Sequence, residues 1–500
     1  MRFAILLSLC FSTLIFAQSP SPAFIAPTNN SIHKTLHDRY QQYKERSINS
    51  KRFKQVDIIP LIDHLKQNPL FEVNIAGQSV EGRNIYLVKV GNGKKKVLMW
   101  SQMHGNEPTA TMALMDIFNF FRQMDDLSQW KGELLDSLTL YFIPMLNPDG
   151  AERFERRNAL DIDLNRDAVR LQSPESQTLK KVHDEIQPDF AFNLHDQTTQ
   201  YSAGRCSAAA TLSFLAPSYN YANDINTNRF EAMQVISNLN KTLQNYIPRQ
   251  VARYDDEYEP RAFGDNMQKW GTSAILIEAG GYPKDYEKQY NRQLHFVTLL
   301  QACETIATGS YQDEKFDGYA SIPENEKTLF HLLLRNVVLE KEGKDYLMDI
   351  AFKSYEAEYN QFRSYYFYNQ IEDMGDLSIF YGYKDLDTKG LRAVPGLSYP
   401  HVYDNVEDLK YLDMLGILKR GYTNIKLREV PNDNRYHQLP IRLTSVTRNV
   451  SNKIELHRSA NFLLQADDGT FHYAVVNGFL FDLQQEDKKL YSIPRENYSR

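Results

Sequence analysis

From about residue 80 to residue 282 the chain alternates short apolar runs with stretches of helical period. Asn84–Val90, Val97–Ser101, Leu138–Met145, Phe190–Leu194 and Ala274–Ile277 each have strand length and are bounded by Gly, Pro, Asn or Asp. Apolar positions recur at helical spacing over Thr109–Met124, Gln177–Ile186 and Ala222–Tyr246, and again over Asp285–Ala307, which runs out at Gly309. Pro108 marks the start of the first of these, because the first helical turn needs no amide donor. Continuous apolar strands alternating with helices predict an α/β fold whose sheet is covered on both faces.

Beyond about residue 315 the pattern changes. Helical period persists over Glu324–Val338. Short aromatic-rich runs then alternate with turns such as Glu372-Asp373-Met374-Gly375 and Asp467-Asp468-Gly469. Phe471–Leu483 reads as a hairpin about Asn477-Gly478, a dipeptide that accepts two positive φ angles. Residues 315–500 are therefore expected to form a mainly β accessory region, open to a protein or glycan partner.

At the other end, Arg2, the apolar run Ala4–Phe16 and the small-residue site Ala17-Gln18 read as a signal peptide over 1–17. Ser19-Pro20-Ser21-Pro22 opens a linker over 18–30, so the mature protein is expected to be secreted or periplasmic. The apolar run is shorter than the roughly 18 residues of a membrane span, and no later stretch reaches that length. A net charge of -6 supplies no basic field, which argues against nucleic acid or anionic lipid as a partner. Five hundred residues exceed one compact core and imply two or three domains. With Cys10 in the leader, only Cys206 and Cys303 remain, as one disulfide or two thiols; a cysteine metal site is excluded.

The chemistry concentrates in Ser101-Gln102-Met103-His104-Gly105-Asn106-Glu107-Pro108, between a predicted strand and a helix. A His and a Glu three residues apart on such a turn can reach one cation, and a third ligand must come from elsewhere. His195 follows the strand Phe190–Leu194, so both clusters lie at the carboxyl ends of strands, where open α/β sheets bind ligands. Three protein ligands leave zinc a position for water. Glu278 closes the apolar strand Ala274–Ile277, where desolvating a carboxylate is costly without a task or a partner. Its task here would be general base toward water activated by the metal; the alternative is a structural ion pair. Arg153, Arg156, Arg157 and Arg166 lie in the segment from Asn147-Pro148-Asp149-Gly150 to Asn165-Arg166. They offer donors for an oxyanion and a bidentate clamp for a free carboxylate.

Six pieces in order, Gly77-x-Ser79-x-Glu81-Gly82-Arg83, Met103-His104-Gly105-Asn106-Glu107, Asn147-Pro148-Asp149-Gly150, Asp163-Leu164-Asn165-Arg166, Leu194-His195 and Glu278, resemble the zinc carboxypeptidase family, the carboxypeptidase A-like metallopeptidases. The likeness is to exported bacterial-type members. It implies a catalytic domain over 31–310 with a mixed, mostly parallel sheet of about eight strands flanked by helices. It also implies one zinc ion on His104, Glu107 and His195, with Glu278 as base and then proton donor to the leaving amine. Arg156 would face the oxyanion, with Arg157 as the other candidate. Asn165 and Arg166 would hold the terminal carboxylate of a peptide substrate, and Asp163 would orient His104. The family's mobile tyrosine would be Tyr254 or Tyr258. Asp161 stands where Gly is common, and Asp196 where a small residue is usual. Acids of the same loop, Asp255, Asp256, Glu257, Glu259 and Asp265, favour basic substrates, while Arg261 opposes them. The implied activity is removal of a C-terminal residue. Alternatives are cleavage of cell-wall peptides at γ-glutamyl–diamino-acid bonds, deacylation of N-acyl amino acids, or a binding protein without catalysis.

Overall fold

A computed structural model of the chain describes residues 32–431, 438–448 and 450–485. The signal peptide expected over 1–17 and the linker over 18–30 lie outside the described residues.

The N-terminal body is built on a sheet that draws on β1 (Phe71–Gln78), β2 (Asn84–Val90), β3 (Lys95–Ser101), β4 (Leu138–Ile143) and β5 (Phe190–Asp196). After the short β6 (Tyr201–Ala203), which stands apart, come β7 (Leu212–Leu215), β8 (Val251–Arg253) and β9 (Ser273–Ala279). The order is β1-β2-β4-β3-β5-β9-β7-β8, eight strands as expected. The centre, β4-β3-β5-β9, is parallel, while the β1-β2, β2-β4 and β9-β7 joins are antiparallel.

Strand alternation explains why the central strands are apolar throughout. Val97 and Met99 of β3 face one core cluster, and Leu98 and Trp100 face the other. Helices α1 (Ile32–Tyr43), α3 (Thr109–Arg122), α4 (Ser128–Ser137), α7 (Thr227–Leu243) and α9 (Gln289–Thr308) pack against the first cluster. The second is closed by α6 (Pro174–Ile186) and α8 (Phe263–Lys269). The remaining N-terminal helices, α2 (Gln55–Lys66), α5 (Pro148–Arg153) and α10 (Phe316–Ala320), also reach the first cluster, through Ile58, Ile62 and Leu65, Ala151, and Tyr319.

Two helices begin later than their apolar pattern does. Asn226 caps α7 by accepting the Arg229 amide at 2.9 Å, so residues 222–226 are outside it. Before α9, Lys288 is left-handed (φ 56°), and the Asp285 carboxylate accepts the amides of Gln289, Tyr290 and Asn291. Asp285 therefore satisfies the helix start from outside rather than belonging to the helix.

The helix expected over Glu324–Val338 is absent; the segment forms β10 (Asn325–Lys327), paired with β6, and the start of β11 (Leu329–Lys341). Leu332 and Leu334 enter one cluster and Phe330 and Leu333 another, so β11 is buried on both faces and loses the alternation that marks a strand. The turn expected at Glu372–Gly375 is likewise absent. Those residues end β13 (Ser364–Gly375), which pairs with β12 (Lys344–Tyr359) at the edge of the second sheet, where charged side chains are tolerated.

The C-terminal region is β-rich. Its larger sheet adds β14 (Tyr381–Asp387), β15 (Arg392–Pro395), β19 (Phe462–Gln465), β20 (Phe471–Val476) and β21 (Phe479–Asp482) to β11–β13. A smaller sheet joins β16 (Leu397–Tyr403), β17 (Tyr422–Leu427) and β18 (Arg442–Ser445), with α11 (Met414–Lys419) packed beside it. The β20–β21 hairpin turns at Asn477 (φ 50°) and Gly478 (φ 79°), as the dipeptide predicts. Cys206 and Cys303 are free thiols. No helix among the described residues is long and apolar enough to cross a membrane.

Candidate metal centre

The chain leaves β3 through Gln102 in the left-handed region (φ 51°). Its buried amide holds the turn by donating to the Gly105 carbonyl at 2.8 Å and accepting from the Thr111 hydroxyl at 3.0 Å. Gly105 lies against the start of α5; a Cβ there would fall 2.0 Å from the Gly150 carbonyl carbon. Gly150 is equally confined, because a Cβ would fall 2.6 Å from the Asn147 amide and 2.7 Å from the Arg157 carbonyl. Asn147 caps α5 by accepting the Gly150 amide at 2.9 Å. Buried Asp149 accepts from the Ser79 hydroxyl (2.7 Å), the Glu81 amide (2.9 Å) and Arg83 Nη1 (2.6 Å). Motif pieces far apart in sequence thus form one brace behind the metal-ligand turn.

That brace brings the three predicted ligands together. His104 Nδ1 lies 2.8 Å from Glu107 Oε1, His195 Nδ1 lies 2.8 Å from Glu107 Oε2, and the two Nδ1 atoms are 3.2 Å apart. This is the only such group of three among the described residues, and all three side chains are buried. His104 Nε2–H donates to Asp163 Oδ1 at 3.1 Å, which leaves the Nδ1 lone pair facing the cluster. Two imidazole nitrogens and a carboxylate converging on one point suit a divalent cation, and the N/O donor set is one that zinc accepts.

Glu278 arrives on the neighbouring strand, directly opposite His195 in the β5–β9 ladder. Burial, then the nearby charges of Glu107 and Asp196, push its carboxyl well above the usual carboxylate range. Among the described residues its Oε2 has no hydrogen-bond partner, and no ion pair engages it. Burial also opposes charge on Glu107 and Asp163, but His104 and His195 hold the first below its ordinary value, and His104 and Arg156 do the same for the second. For His104 the partners outweigh burial and raise it; for His195 burial wins and lowers it.

The two arginine candidates separate. Arg156 reaches over the cluster, with Nη1 3.1 Å from both His104 Nδ1 and Glu107 Oε1 and Nε donating to Asp163 at 3.0 Å. Arg157 turns away and donates to the Asp161 carbonyl at 2.7 Å. Asp161 itself is left-handed (φ 58°), which explains why a glycine suits that position. Asn165 is buried and accepts the Phe263 amide at 2.9 Å, while Arg166 is paired with Glu259 at 3.0 Å. Glu259 also holds Arg261, and Asp256 pairs with Arg229 of α7, so these two acids of the loop are already paired with arginines. The charges of Glu278 and Glu107 act on Tyr254, whereas Tyr258 stands by Tyr221, Asp265 and Glu259.

Asp196 accepts from the Thr109 hydroxyl at 2.5 Å, and burial pushes it up to about 6 against the nearby charge of Lys288. Lys288 is buried and donates to the Ala279 and Gly280 carbonyls. No local motif marks this lysine; only the fold brings it near Asp196.

Curated relatives match short stretches. Carboxypeptidase 2 of Trichophyton tonsurans is 28% identical over 120 residues, 23% of this chain and 20% of that protein. Carboxypeptidase D of Drosophila melanogaster is 27% identical over 115 residues, 19% of this chain and 8% of that protein. The chain therefore spans about a fifth or less of the length of these relatives. Among solved structures, a metallo-carboxypeptidase from Burkholderia cenocepacia matches with a TM-score of 0.42 at 17% identity, covering 52% of this chain and 70% of that one. Carboxypeptidase A from Helicoverpa armigera matches with a TM-score of 0.42 at 16% identity, covering 56% and 80%. Residues 58–305 match the sequence model of the family described as zinc carboxypeptidase, and this part of the chain belongs to that family.

Proposed function

We propose that this chain is a zinc-dependent metallocarboxypeptidase that hydrolyses the C-terminal peptide bond of peptides, outside the cytoplasm, after export by the leader at 1–17. One observation carries the reading: His104, Glu107 and His195 converge near a buried Glu278 that no cationic side chain among the described residues pairs. Zinc held by these three side chains supplies Lewis acidity and lowers the pKa of water to about 7.

The chain's own groups then divide the work. Glu278, as the carboxylate, takes a proton from water and returns it to the leaving amine; the surroundings that raise its proton affinity suit it to hold that proton between the two transfers. Arg156, half-exposed beside the ligands, donates to the oxygen on which negative charge develops. Asp163 keeps the proton of His104 on Nε2. Arg166, with Asn165 behind it, takes the substrate's terminal carboxylate in exchange for Glu259. Tyr254, which feels the charge of Glu278, is the one of the two tyrosines we assign to covering the bound substrate.

The test is mass spectrometry of products from matched peptides with free and amidated C-termini, alongside zinc analysis. One zinc per chain and single-residue removal confined to the free acids are expected, with activity lost to a chelator. Equal cleavage of amidated peptides would remove the clamp from Asn165 and Arg166.

A further inference from the structure

A cavity of about 1090 Å³ separates the N-terminal body from the C-terminal one and begins at the metal-ligand turn. Asn106, Glu107 and Asp196 line one side, and Glu356, Phe367 and Tyr383 of the C-terminal strands line the other. Arg156, Asn165 and Arg166 do not line it. A peptide whose carboxylate lies on Asn165 and Arg166, with its last amide at the cluster, must lead its upstream residues away from them. The cavity adjoins Glu107 and is large enough for them, since about 300–1000 Å³ holds a drug-sized molecule.

We infer that this cavity receives the residues upstream of the scissile bond, and that the C-terminal body selects them; this rests on the carboxypeptidase reading. The lining carries ten Phe and Tyr residues, and its five Lys and Arg are offset by five Asp and Glu. Several of the charges are already used. Lys51 pairs with Glu356, and Lys288 is held by two backbone carbonyls. The walls therefore present aromatic faces rather than uncompensated charge, and they favour aromatic or aliphatic upstream side chains over acidic ones.

The C-terminal body also shapes the loops that lead out of the centre. Tyr383 Oη donates to the Thr199 carbonyl at 2.7 Å, and His331 Nε2 lies 3.2 Å from the Thr199 hydroxyl, four residues beyond His195. A Cβ at Gly281, three residues beyond Glu278, would fall 1.9 Å from Tyr383 Oη. Tyr286 and Phe367 meet across the gap with ring centroids 5.1 Å apart.

The full-length zinc enzyme should be assayed on N-blocked peptides sharing one C-terminal residue and carrying one to four residues upstream. Expected is a kcat/KM that climbs with upstream length, more steeply for Phe than for Glu there. Phe367→Ala and Tyr286→Ala should each cut the longest-to-shortest ratio about tenfold. Tyr286 is 59% exposed, so its variant keeps the test in hand if Phe367→Ala fails to fold. Cleavage with no length dependence, or a ratio unmoved by either variant, overturns the cavity assignment alone. No cleavage at any length overturns the carboxypeptidase reading and this inference with it.

Discussion

His195 and Glu278 are register partners in the parallel β5–β9 pairing, so a proposed metal ligand and the candidate base leave the sheet side by side. Glu278 lies outside the group of three converging ligand side chains. Glu278→Gln keeps the shape and removes the proton acceptor. Turnover should fall at least about 100-fold, the lower bound of what a positioned base contributes. Zinc content measured on the same preparation should stay at one per chain. A variant that keeps its turnover, or loses its metal, would reassign the residue.

Arg156 and Arg157 are adjacent in sequence and opposite in direction. Only Arg156 reaches the ligand cluster, while Arg157 braces the Asp161 carbonyl. Arg156→Ala should lower kcat by about 100- to 1000-fold, the scale of losing one oxyanion donor. Arg157→Ala should stay within a few-fold of the parent. Steady-state kinetics on one free-acid peptide separates the two, and a larger loss at Arg157 would reverse the assignment.

Asp163 touches His104 and Arg156 at once. Asp163→Asn can still accept a hydrogen bond but loses the charge that favours the Nδ1 lone pair at the cluster. Zinc affinity, measured by competition with a chromogenic chelator, should weaken by about 10- to 100-fold, as for other residues that orient a ligand. Unchanged affinity would show that His104 is oriented by other contacts.

How much of this was legible in the residues depended on how local the cause was. The strands that carry Ser101, His195 and Glu278 at or next to their last residue announce themselves, because a strand buried on both faces is apolar throughout and its polar end stands out. The same rule misled at β11, where burial on both faces erased alternation and Leu329–Val338 took on a helical spacing. The metal ligands were readable because the turn, its glycine and its cap are each written in the sequence. The choice of Arg156 over Arg157 rests on the resemblance, not on any local signal; in the fold Arg157 is turned onto the Asp161 carbonyl while Arg156 reaches the cluster. The Tyr383–Thr199 contact spans 184 positions, and no periodicity in either segment encodes it.

A final expectation concerns stability rather than catalysis. Glu304, on α9, is largely withdrawn from water, and burial pushes it up to about 7 from an ordinary 4.5, against hydrogen bonds from Gln301 and Trp130. The folded chain therefore keeps a proton that the unfolded chain releases. Stability from this group is fully present below about pH 4.5, declines as pH rises toward 7, and stays low above it. The span corresponds to at most about 3 kcal/mol, since one pKa unit is about 1.4 kcal/mol. Glu304→Gln stays neutral throughout and should raise the melting temperature at pH 8 while leaving it nearly unchanged at pH 4.5. Scans of both proteins at the two pH values measure the difference. An equal shift at both would mean that packing, not ionisation, governs this position.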